Sequence, residues 1–259
     1  TDELVELCED VREAGGVFMC EPRRANPERA FGGGGVQEAL EIALRSGVKL
    51  HLAHFRTDSD NAGIIDELME PVDRGVADGL DVTLDIYPYP TGSSILVSVL
   101  PGWAQEGGPD SILGRLRDPA QRSLIAEHLE HERGRRYPLV EMVISYAAGN
   151  GHLEGMRVPD LAKERGVSAA EAVCDLLSEA DLGVGYVMAP PASAAVWRQI
   201  SRDSMDLLAR PDYMVCSDIT PAGSLPHPRS YGAFPRFLGR LRRQFGGISL
   251  EGMVHRMTD

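Results

Sequence analysis

Apolar positions along the chain recur at two different periods. Leu4, Val5, Leu7, Cys8 and Val11 fall at helical spacing, as do the apolar residues of Val36 to Leu44 and the stripe Ile64, Ile65, Leu68, Met69, Val72 and Val76. Between these lie short, nearly unbroken apolar runs. They are Val17 to Cys20 (behind a glycine pair), Val48 to Phe55 and Leu80 to Tyr87. Such runs predict strands buried on both faces, and their alternation with helices predicts a parallel sheet built from right-handed crossovers.

The rhythm breaks from Pro88 to about Glu179. Pro101-Gly102-Trp103 and Gly107-Gly108-Pro109 punctuate it. The charged stretch Arg115 to Arg136 reads as one long helix, Val140 to Ser145 as a strand, and Asp160 to Arg165 and Ala169 to Leu177 as two short helices. A block this long exceeds an ordinary βα connection and predicts an inserted lid or small subdomain. The barrel-type pattern resumes with Gly183 to Met188, a helix around Ala192 to Ser201 and the run Tyr213 to Asp218. The expected division is therefore 1–89, 90–180 and 181–259. Gly32 to Gly35 reads as a short flexible loop.

The chain has 259 residues and is 43% hydrophobic, enough to bury a large core. Its formal charge of −13 disfavours nucleic acid and anionic membrane surfaces as partners. No stretch approaches the ~20 apolar residues of a membrane helix, and no secretory leader pattern opens the chain. Cys8, Cys20, Cys174 and Cys216 lack paired spacing. They read as small core residues of a protein in a reducing, cytoplasmic setting. The chain opens on Thr1 inside a helical pattern and stops at Asp259 directly after another, so a fragment of a longer protein is expected. Nothing in the sequence sets an oligomeric state.

Parallel α/β folds carry function at the C-terminal ends of their strands, where Glu21, His54, Asp85 and Asp218 stand. His54 is a candidate zinc ligand, against the alternative of a satisfied loop histidine. His51 lies three residues earlier, on the opposite face of a regular strand, and is set aside. Asp218 ends a buried run, where a carboxylate is costly unless paired or metal-bound. It could ligate a metal, act as general base or cap the next segment. Glu21 could ligate or pair with Arg23 or Arg24. Tyr87 and Tyr89 could donate to an oxyanion or pack at a rim. Arg229 could clamp a carboxylate or be an ordinary surface arginine.

Taken in order, Leu52-Ala53-His54, Asp85-Ile86-Tyr87-Pro88-Tyr89 with Gly92-Ser93, Leu100-Pro101-Gly102-Trp103, Ser217-Asp218 and His227-Pro228-Arg229 with Tyr231-Gly232 resemble the D-aminoacylases. These are N-acyl-D-amino-acid deacylases of the amidohydrolase superfamily. The resemblance implies a metal-dependent (β/α)8 TIM-like barrel with a small insertion after the sixth strand. This chain would supply its C-terminal portion, from about the fourth strand onward. It implies one or two zinc ions, or another divalent metal, held by residues including His54 and Asp218. It also implies Asp218 as proton shuttle, and Tyr87, Ser93 and Arg229 on the carbonyl or carboxylate of a small N-acyl amino acid. The sequence departs from the family where a fourth-strand histidine is usual, placing Cys20-Glu21-Pro22-Arg23 there. Glu21 is then the candidate ligand, with different charge and softness. The first-strand and third-strand ligands of the family have no counterpart here, and an incomplete barrel exposes strand edges that favour aggregation. Two other functions fit the same residues: an amidohydrolase acting on a cyclic amide or dipeptide, and a metal-free homologue that only binds ligand.

Overall fold

The computed structural model describes residues 1–22, 35–133, 138–191, 193–219 and 223–258. The fold is α/β and divides into two compact units. Unit 1 comprises Thr1–Pro90, Pro191–Asp218 and Tyr231–Asp259; unit 2 comprises Thr91–Pro190 and Ile219–Ser230. Gly32 to Gly34 of the glycine run, and the arginines Arg23 and Arg24, lie outside the described residues.

Unit 1 is a parallel sheet with helices packed on it. β1 (Val17–Cys20), β2 (Lys49–Leu52) and β3 (Val82–Ile86) pair in sequence order. The helices Gly35–Ser46 and Ile65–Ala77 form the connections between them. The last strand of unit 1, Tyr213–Val215, pairs directly with β3 through Leu84↔Tyr213 and Ile86↔Val215. The apolar runs are buried as their pattern requires: Leu50, Leu52, Leu84 and Ile86 are at most 1% exposed and pack with Ile42, Met69, Val72, Leu207, Leu208 and Phe237. The outer strand β1 is different. Met19 is 60% exposed and Val17 49%, so one face of this strand is bare among the described residues.

A buried carboxylate ties the segment after β2 to the helix Ala194–Leu208. Asp203, 1% exposed, accepts from Thr57 Oγ1 at 2.7 Å, from the Gly63 backbone N–H at 2.8 Å and from Gln199 Nε2 at 2.7 Å. Asp203→Asn keeps the shape but cannot accept at both oxygens. It is expected to cost about 1–2 kcal/mol, read from the urea midpoint, with faster amide exchange at Gly63.

Unit 2 carries an antiparallel sheet in the order β4 (Ser93–Ile95), β6 (Val184–Met188), β5 (Met142–Ala147). Its core is separate, built from Leu96, Leu100, Ile125, Met142, Ile144, Leu176, Leu177 and their neighbours. The helix Ala169–Glu179 begins with a reciprocal cap between Ser168 and Glu171. Two expectations change here. The run at Gly183 to Met188, read as a resumed barrel strand, pairs antiparallel within unit 2; an apolar run does not reveal the direction of its partner. The stretch read as one helix from Arg115 is two, Pro109–Arg117 and Pro119–His128. Proline at 119 drives Asp118 out of helical backbone (φ −77°, ψ 119°), and the Asp118 side chain caps the second helix through the Gln121 N–H at 2.8 Å. With those changes the last strand of unit 1 is β7 (Tyr213–Val215). No helix among the described residues is long and apolar enough to cross a membrane.

A candidate active site at the strand ends

The four parallel strands of unit 1 all point the same way, so the residues that follow them gather at one end of the sheet. Glu21 follows β1, His54 follows β2, Asp85 and Tyr87 close β3, and Asp218 follows β7. The ladder continues past each strand end, with the Ala53 N–H on the Cys20 carbonyl, Phe55 on Asp85 and Cys216 on Ile86, each at 3.0 Å. These bonds fix the backbone from which the candidate side chains project.

His54 and Asp218 share an uncommon backbone. Four non-glycine residues among those described have positive φ: Asp181 and Leu182 in one turn of unit 2, His54 at +38° and Asp218 at +46°. L-residues enter this region at a cost of ~1–2 kcal/mol, and they do so at turns and functional sites. For His54 the compensation is visible. Its N–H donates to Asp85 Oδ1 at 2.5 Å, against a carboxylate that is 6% exposed.

Asp85 is the hub of this end of the sheet. Its Oδ2 lies 3.0 Å from His51 Nε2, whose Nδ1 is 2.8 Å from Thr83 Oγ1. Burial pushes the carboxyl up, but hydrogen bonds from His51, the Cys216 thiol and the His54 N–H, with the His51 charge, prevail and hold it below its ordinary value. His51, set aside on strand alternation, therefore belongs to the network. Alternation ends at Leu52 with the strand, so it does not separate His51 from what His54 touches. Cys216, read as a plain core residue, is part of the same network. None of the four cysteines forms a disulfide, and burial pushes Cys20 and Cys174 up to about 11.

Tyr87 is 4% exposed and its hydroxyl accepts from Arg56 Nη2 at 2.9 Å. The Arg56 guanidinium lies 4.6 Å from the Tyr87 ring centroid, and the His54 ring is 6.2 Å from it. Arg56 is 7% exposed and is a member that sequence reading missed. Its place two residues beyond His54, at the same strand end, was the available clue.

His54 Nε2 and Glu21 Oε2 are 3.5 Å apart. Two ligands on a tetrahedral zinc, each about 2.1 Å from the ion, would stand about 3.4 Å apart, so this pair has the spacing of two corners of such a site. Among the described residues no group of three His, Cys, Asp or Glu side chains is arranged to hold a metal, so Asp218 does not complete a preformed trio with them.

In unit 2, Ser93 and Arg229 are brought together. Arg229 is 2% exposed, far from the ordinary surface arginine of the alternative reading, and its Nη2 donates to the Ser93 carbonyl at 3.0 Å. Its backbone N–H donates to His227 Nδ1 at 3.1 Å. A His227 that accepts at Nδ1 carries its proton on Nε2, which then donates to Thr91 Oγ1 at 3.1 Å. The buried imidazole thus links the segment at Thr91 to the turn that carries Arg229.

No protein-family model matches the chain. It is 26% identical over its full 259 residues to a D-aminoacylase of Alcaligenes xylosoxydans xylosoxydans, covering 43% of that protein. It is also 26% identical over 227 residues to an N-acyl-D-glutamate deacylase of the same organism, covering 86% of this chain and 36% of that one. Among solved structures it is similar to N-acyl-D-glutamate deacylase from Bordetella bronchiseptica, complexed with zinc and a phosphonate mimic of the tetrahedral intermediate. The TM-score is 0.71 and the identity 24%, over 99% of this chain and 44% of that one. The resemblance read from the ordered motifs therefore extends along the whole chain, which spans less than half the length of these relatives.

Proposed function

We propose that this chain supplies the C-terminal part of a metal-dependent (β/α)8 amidohydrolase that cleaves the amide bond of N-acyl-D-amino acids. The observation that carries the reading is the left-handed backbone of both His54 and Asp218, which follow β2 and β7, the two strands that flank β3 in one parallel sheet. Strain kept at strand ends is what a catalytic edge displays, and similarity to deacylases over the full chain supports the same reaction class.

The roles follow from chemistry and from the resemblance. His54 and Glu21, with Asp218, are the residues here that would hold the metal, joined by ligands from outside this chain. A bound zinc lowers the pKa of a water and polarises the amide carbonyl. Asp218 takes the proton of the attacking water and passes it to the leaving amine, so the C–N bond breaks after the C–O bond forms. Tyr87, oriented by Arg56, serves the carbonyl oxygen, while Ser93 and Arg229 serve the carboxylate. Asp85 holds the backbone of His54.

The test uses the complete enzyme purified without chelator, beside its Glu21→His and Arg229→Ala variants. About one equivalent of metal in the natural protein is expected, given the two-corner spacing of His54 and Glu21. No metal in the natural protein, with metal gained in Glu21→His, would transfer the assignment to a ligand-binding homologue without hydrolytic activity. Arg229→Ala is expected to raise KM for N-acyl-D-amino acids about 10- to 100-fold and to spare amides that lack the carboxylate. Equal loss on both substrate sets would make Arg229 structural. A preference for cyclic amides or dipeptides in the unaltered enzyme would overturn the substrate assignment alone.

A further inference from the structure

The stretch from Ile219 to Leu250 contains five arginines and no aspartate or glutamate, in a chain with 39 acidic residues and a charge of −13. One of these arginines, Arg229, lies in unit 2 and has been described. Arg236 and Arg240 instead line a cleft of about 370 Å³ in unit 1, between the helix Ala194–Leu208, which contributes Trp197, Arg198 and Ser201, and the segment 236–245, which also contributes Phe245. Small-ligand sites begin at about this volume.

The three guanidiniums are placed without carboxylate partners among the described residues. Among the described residues, no Asp or Glu lies within ion-pair distance of Arg198, Arg236 or Arg240, although Arg45, Arg74, Arg122, Arg165 and Arg210 each have one. Arg236 is also held in position. Its Nε donates to the Pro88 carbonyl at 3.0 Å and its guanidinium lies 4.9 Å from the Tyr89 ring centroid. Arg198 lies 6.0 Å from the centroid of Phe245, which walls the cleft. Burial, with the Arg240 charge, lowers Arg236 from its ordinary value, so the cluster carries positive charge that its own surroundings oppose. An acidic chain offers many carboxylates to a solvated arginine; three arginines around one cleft, with no carboxylate partner among the described residues, are a concentrated cationic site. The overall negative charge disfavours a nucleic-acid strand there, and the volume suits a small molecule.

We propose that this cleft binds a small polyanion carrying two or more phosphate or carboxylate groups, received by Arg198, Arg236 and Arg240. Fork-shaped guanidiniums pair with either kind of group, and a ligand with two charges engages more than one arginine at once. The cleft is separate from the residues assigned to hydrolysis, so the site stands or falls independently of the reaction.

The chain contains two tryptophans, and one of them, Trp197, lines the cleft. In a Trp103→Phe background its fluorescence reports on this site. Pyrophosphate and citrate are titrated at low salt, with Arg240→Gln and Arg236→Gln as comparisons. A saturable change with at least one of the two anions is expected, and the responding anion identifies phosphate or carboxylate as the preferred group. Arg240→Gln is expected to weaken binding by about tenfold or more, the size of one charge-assisted hydrogen bond. Arg240 is exposed, so its variant retains the fold and decides the matter even if Arg236→Gln, which loses the Pro88 bond, unfolds. No saturable change with either anion, or a change that Arg240→Gln leaves intact, overturns the proposal.

Discussion

Asp218→Asn is expected to lower kcat on N-acyl-D-amino acids by about 10² to 10⁴-fold in the complete enzyme, the range that general acid–base catalysis spans. The backbone makes this a clean substitution. Asp218 sits at φ +46°, and asparagine tolerates the left-handed region about as well as aspartate does. The fold is therefore retained while the proton acceptor is lost. Circular dichroism and the thermal midpoint should stay near those of the natural protein while turnover collapses. Turnover within a few-fold of normal would remove Asp218 from the chemistry, and parallel losses of activity and melting temperature would make it a structural residue.

Replacing Asp85 with alanine should have the largest effect on stability. The carboxylate, 6% exposed, accepts from the His54 N–H and the Cys216 thiol and faces the buried His51 Nε2, so its removal takes a partner from one buried and two half-buried groups. A loss of about 3 kcal/mol is expected, measured by urea unfolding at neutral pH. The same carboxylate sets an acid limit. Its folded value lies below the unfolded value of about 3.9, so its contribution is present above that value and is lost as pH falls through the lower, folded one. Asp85→Asn should be less stable at neutrality and should flatten this part of the acid limb. An Asp85→Ala protein as stable as the natural one would show that the network contributes nothing to the fold.

The parallel sheet of unit 1 was legible because its strands are buried on both faces and its helices carry a single apolar stripe. The positions of His54 and Asp218 just past strand ends were legible because each polar residue closes an apolar run. Other features were hidden for identifiable reasons. An apolar strand does not announce whether its neighbour is parallel, so β6 was assigned to the wrong sheet. Asp118 looked like one more charge in a charged helix until Pro119 was weighed. His51 was set aside by an alternation rule that stops applying where β2 ends. Arg56 and Arg229 are buried arginines, and burial of so polar a side chain follows from tertiary partners that no local pattern contains. Ser93 and Arg229 lie far apart in sequence; the resemblance names both, but the hydrogen bond from Arg229 to the Ser93 carbonyl is a tertiary contact that no local pattern contains.

The direct pairing of β3 with β7 has a consequence for how the chain reaches its native state. Leu84 meets Tyr213 across roughly 130 residues, and forming that ladder first would close a very long loop. Unit 2 occupies most of that interval with a core of its own, and its first and last segments meet where the Met188 N–H donates to the Gly92 carbonyl at 3.0 Å. Once unit 2 has folded, the span still to be closed shrinks to roughly 30 residues, which lowers the entropic barrier to joining β3 and β7 by about 1 kcal/mol. The insertion then acts as a staple that gathers two distant stretches of chain, and the sheet's slowest pairing inherits the folding rate of the unit between its strands.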